Sequence, residues 1–78
     1  MIRKTDKLLV TFFTTTDAME MERLCQEHRI PGRIIPVPGS ISADCGLGWC
    51  APPEAEKTVR EFMQCRNLRF QAIHRCLV

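Results

Sequence analysis

The stretch "GRIIPVPGSISADCGLGWCAPP" (residues 32–53) holds two short apolar runs separated by a polar loop and punctuated by prolines. The first run, around Arg33–Ile35, is closed by Pro36 and Pro38. Neither proline can donate to a ladder, so this strand belongs at a sheet edge. The second run, "CGLGWCA" (45–51), is glycine-rich at its start and is stopped by Pro52 and Pro53, which predicts a third strand. Two consecutive strands without a helix between them determine the topology, because helical patterns lie on both sides.

Upstream, "KLLVTFF" (7–13) is apolar and β-rich, the pattern of a strand buried on both faces. "TTTD" then supplies several N-cap candidates, and Asp17 with Glu20 has capping-box spacing. Ala18, Met21, Leu24, Cys25 and His28 recur at three- and four-residue steps, predicting an amphipathic helix that ends near Arg29. Downstream, "PPEAEKTVREFMQCRN" (52–67) opens on proline, carries acids in its first turn and has Asn67 as a C-terminal cap. "LRFQAIHRCLV" (68–78) closes the chain as a strand, with Leu68, Phe70 and Ala72 set against Arg69, Gln71 and Ile73. The order β-α-β-β-α-β predicts one α+β domain over residues 1–78. Its economical form is the ferredoxin-like split sandwich, a four-stranded antiparallel sheet with two helices on one face. An apolar open face on such a sheet is a place for a homodimer to form.

Composition narrows the function classes. The chain has 78 residues, 45% hydrophobic and 26% charged, with a net charge of +2. Such a chain is globular rather than disordered. The charge is too small and too dispersed for a nucleic-acid face. No apolar run approaches the ~18 residues of a membrane span, and "MIRKTDKLLVTFF" lacks the cleavage pattern of a leader. A cytoplasmic location is the expectation.

The five cysteines are an odd number, which argues against a disulfide framework, and their spacing lacks the paired knuckles of a zinc site. His28 and His74 stand far from the Cys45/Cys50 pair in the sequence. Cys45 lies where the polar loop meets the third strand. Gly46 and Gly48 leave the backbone bare beside it, so a partner can approach and N–H groups can face a sulfur anion. Arg33 and Arg3 are candidate cations to favour its thiolate. Cys50 lies five residues on. In an extended strand that is ~16 Å away and on the other face, too far for a direct disulfide. A small buried residue is the bland alternative for either thiol.

The run "TTTDAMEMERLCQEHRIPGRIIPVPGSISADCGL" (14–47) resembles a family of small bacterial selenium/sulfur carrier-like proteins, and the resemblance extends over roughly residues 7–75. In that family the cysteine of the Cys-Gly-Leu stretch is the carrier, which implies the role for Cys45. The resemblance further implies a persulfide or perselenide on that sulfur, received from a pyridoxal-phosphate desulfurase-like donor and passed to an acceptor. No cofactor is implied on the chain itself. Asp44 stands where a glycine is more usual, and Cys50 is an addition to the motif. Two other readings compete: a non-catalytic small-ligand or protein-binding module, and a thiol redox regulator using Cys45 and Cys50.

Overall fold

A computed structural model describes residues 6–39, 41 and 46–77 of the chain. Its elements are β1 (Asp6–Thr11), α1 (Thr15–Glu27), β2 (Arg33–Pro36) and β3 (Leu47–Ala51). A 3₁₀ turn (Pro53–Ala55) follows, then α2 (Glu56–Arg66) and β4 (Ala72–Leu77). The four strands form one antiparallel sheet in the order β2-β3-β1-β4, the order of the ferredoxin-like split sandwich. Among the described residues, no helix is long and apolar enough to cross a membrane.

β1 is central, and Leu8, Leu9, Val10 and Thr11 are all fully buried, as its unbroken apolar run requires. It stops at Thr11 rather than Phe13. Phe12 continues into the core, while Phe13 is 44% exposed under the Arg69 guanidinium, 5.9 Å from its ring centre. One sheet face bears the helices. Leu8, Val10, Trp49 and Ala51 pack there against Ala18, Met21 and Cys25 of α1 and Val59 and Met63 of α2. Trp49 is the largest fully buried side chain, flanked across the ladder by Val10 and Ile34.

The first helix is capped one turn earlier than the Asp17–Glu20 pair suggests. Thr14 is the N-cap, and its hydroxyl accepts from the Asp17 backbone N–H at 3.1 Å. Any of the three threonines or Asp17 could satisfy the free first-turn donors. The choice is fixed by β1, which ends just three residues before Thr14. Asp17 thereby sits in the first turn, where the helix dipole favours a carboxylate. At the second helix, Pro52 and Pro53 open a 3₁₀ turn and the α-helix starts only at Glu56. Asn67 ends it in the left-handed conformation at φ 55°, and Leu68 N–H closes on Met63 C=O at 3.0 Å.

That closure uses residues 68–71 as a connection, so β4 begins at Ala72 rather than Leu68. The alternation shifts with it: Ile73, not Ala72, packs against the core cluster. Arg75 ties β4 to its neighbours through Asp6 at 2.9 Å and Glu56 at 2.8 Å. Hydrogen bonds from Arg60 and Arg75 hold the Glu56 carboxyl below its usual range. Exposed pairs of this kind contribute modestly to stability.

Cys25 is fully buried under α1, and burial pushes its thiol from 9.0 up to about 12. The neutral form is therefore favoured in the folded state. Its stabilising contribution is complete below the ordinary thiol pKa and is lost as pH rises towards about 12. Native protein at about pH 8, below the ordinary thiol pKa, is expected to protect Cys25 from iodoacetamide until denaturant is added, read by peptide mapping. Rapid native labelling of Cys25 would contradict this packing.

Candidate functional site

The β2–β3 hairpin presents the candidate site. Pro36 lies opposite Leu47 at the end of the ladder, and Val37 N–H donates to Gly46 C=O at 2.9 Å just beyond it. Ile41 N–H donates to Pro38 C=O at 3.0 Å. Cys45 lies outside the described residues, as does Arg3. Its chain neighbour Gly46 has φ +76°, a conformation that suits glycine, and among the described residues beyond its chain neighbours a Cβ added there would meet no atom within 4 Å.

Gly48 is different. A Cβ on it would come within 2.8 Å of Leu9 Cδ1 and 3.0 Å of the Val10 carbonyl oxygen. This glycine accommodates packing inside the sheet, and it is buried.

The sheet register places the other candidates on the face away from the helices. Arg33 is opposite Cys50, Cys50 opposite Leu9, and Leu9 opposite His74, so the four make one row across all four strands. Lys7 and Cys76 oppose each other one pleat along, on the same face. Arg33 is exposed on β2, and its charge acts on Cys50. Cys50 is 7% exposed, and burial pushes its thiol up against the opposing pull of Lys7 and Arg33. Cys76 is also pushed up, by burial and then by Cys50 and Asp6. Cys65 is the exposed thiol among those described.

His74 Nε2 is buried and lacks a hydrogen-bond partner among the described residues. Its alignment with Cys50 is a feature that motif reading missed, although strand parity would have revealed it once the register was known. His28 is not on the buried stripe of α1. It caps the helix end in the open, packs against Phe62 with ring centres 5.3 Å apart and the ring planes tilted by 56°, and accepts from Arg66 Nη2 at 3.0 Å. That bond requires an unprotonated Nε2. Among the described residues, no three His, Cys, Asp or Glu side chains converge to hold a metal ion.

The end of the sheet at which β3 begins carries exposed apolar surface. Thr11 is opposite both Gly48 and Ala72. Phe13 and Phe70 therefore flank that same end, 44% and 38% exposed. Arg69 adds a cation there, over the Phe13 ring and 3.9 Å from Asp17 Oδ2.

Comparison with known proteins identifies a family described as "Putative Se/S carrier protein-like", whose model matches residues 7–75. No curated protein and no solved structure matches the chain. The matched span runs from the central strand into the last one and includes Cys45, so it encompasses the hairpin and the whole helical layer. The chain belongs to the Se/S carrier protein-like family.

Proposed function

We propose that this protein carries sulfur or selenium as a persulfide or perselenide on Cys45. The observation that carries the reading is family membership, with the Cys-Gly-Leu cysteine inside the matched span. The packing of three of the four other thiols supports it, Cys65 being exposed. Cys25, Cys50 and Cys76 are all shifted towards the neutral, unreactive form by burial. The open space around Gly46 leaves room for a second protein to approach this end of the β2–β3 hairpin. The apolar sheet end around Phe13 and Phe70 offers that protein a place to dock.

The transfer needs no redox partner. The Cys45 thiolate attacks the terminal chalcogen of a persulfide or perselenide on a pyridoxal-phosphate desulfurase-like donor. A bond from Cys45 sulfur to that chalcogen forms, the donor's own bond to it breaks, and the donor leaves as a thiolate. An acceptor nucleophile repeats the exchange and releases Cys45 as thiolate. The donor supplies the difficult chemistry, so the carrier needs an accessible thiol and a docking surface rather than a general base. Burial of Cys50 makes it a poor resolving thiol and disfavours the redox alternative.

Intact-protein and peptide mass spectrometry without reductant, after incubation with a desulfurase and cysteine or selenocysteine, tests the proposal. The expected result is an increment of one sulfur or one selenium on the Cys45 peptide, absent in Cys45→Ser. An unmodified Cys45 beside a control carrier that loads under the same conditions would overturn it.

A further inference from the structure

Among the described residues three large apolar side chains are exposed. Two of them, Phe13 and Phe70, lie at the end of the sheet where β1 stops and β4 begins. Arg69 connects them: it precedes Phe70 in the chain, and its guanidinium rests over the Phe13 ring. Its side chain is 72% exposed, and its carboxylate partner Asp17 stands at 3.9 Å, beyond hydrogen-bonding reach. The ring steadies the guanidinium while much of its planar donor fork stays open to a carboxylate from outside. Exposed aromatic rings around an arginine have the composition of an interface hot spot.

We propose that this patch docks the desulfurase-like donor, with Arg69 taking a carboxylate of the donor and the two rings an apolar hollow beside it. The inference rests on the carrier reading above and names the surface by which the donor finds the site. Its position fits that task. Thr11 opposes Gly48, so the ladder continued by two residues sets Gly46 level with Phe13. The patch therefore adjoins the end of β3 that follows Cys45 in the chain.

The chemistry favours the donor over other occupants. A donor of this class holds its chalcogen on a protein cysteine, so loading brings two folded surfaces together. Release needs only a nucleophile that reaches the loaded sulfur. A second copy of this chain is a poor fit. It would bring another Arg69 cation, while the acid at hand, Asp17, is only 17% exposed and already faces Arg69.

The test compares two routes of loading Cys45 on the full chain, each read as an initial rate by peptide mass spectrometry without reductant. One route uses a cysteine desulfurase with cysteine, the other glutathione persulfide, which needs no docking surface. The ratio of the first rate to the second is expected to fall at least about tenfold in Arg69→Glu and in a Phe13→Ala/Phe70→Ala variant. Added salt is expected to slow desulfurase loading of the wild type and to speed that of Arg69→Glu, where it screens a repulsion. Far-UV circular dichroism checks that the variants are folded. An unchanged ratio in both variants would overturn the proposal, as would equal slowing by both routes, which would mean that the thiol itself had been disturbed. Loss confined to discharge onto an acceptor protein would also overturn it, by seating the acceptor there instead. A wild type loaded by glutathione persulfide but not by the desulfurase sinks the docking proposal alone, whereas one loaded by neither route sinks the carrier reading as well.

Discussion

Replacing Trp49 with alanine is expected to cost about 3–5 kcal/mol, the range for deleting a large buried aromatic side chain. Trp49 is 1% exposed and lies where β2, β3 and β1 meet, opposite Ile34 on one side and Val10 on the other. Both helices pack over the cluster to which it belongs. A chain of 78 residues has little reserve, because small domains bury a low fraction of their surface. The loss should lower the melting temperature by on the order of 20 °C or leave the chain unfolded at room temperature. Urea unfolding followed by far-UV circular dichroism measures it, since the variant lacks the single tryptophan probe. A loss below about 1 kcal/mol would mean that the core does not close around this ring.

Gly32→Ala is expected to be nearly as damaging, for a reason invisible in its own exposure. Gly32 is a surface residue, yet an alanine Cβ there would lie 2.5 Å from Trp49 Nε1, 2.6 Å from Cε2 and 2.7 Å from the Cys50 carbonyl oxygen. Its φ of +134° is also unfavourable for any side chain. Backbone strain and overpacking each cost about 1–3 kcal/mol, so a combined loss of roughly 2–6 kcal/mol follows. In a Trp49→Phe background the penalty should shrink but not vanish. The smaller ring removes two of the three clashes, while the Cys50 carbonyl and the dihedral remain. Full additivity in the double-mutant cycle would show that the indole edge is not what Gly32 accommodates.

The topology was readable because it rests on periods and punctuation that act locally. The apolar run of β1, the three- and four-residue steps of α1, and the prolines around β2 and α2 each bias the backbone with no help from distant residues. Boundaries were less readable. Residues 68–71 have strand-like composition, but an αL cap at Asn67 and the bond from Gln71 N–H to Thr11 C=O make them a connection. Tertiary closure outweighs weak strand propensity over so short a segment.

Around the site, sequence alone singled out Cys45, at the junction of the polar loop and the third strand, through the Cys-Gly-Leu stretch and its glycines. What the other candidates do was decided by register. Gly48 looks like a second bare position beside Cys45, yet Leu9 and Val10 fill the space a side chain would need. Cys50 reads from spacing as out of direct reach of Cys45, and the register adds that it is buried in a row with Arg33, Leu9 and His74. His74 is far from Cys50 in the chain, and only pairing of both strands with β1 sets the two on one face. Local sequence fixes which residues are extended or helical, because backbone preferences are local. Which side chains meet depends on strand pairing across the whole domain, where a slip of one residue exchanges the two faces, and that is settled only when the core closes around Trp49.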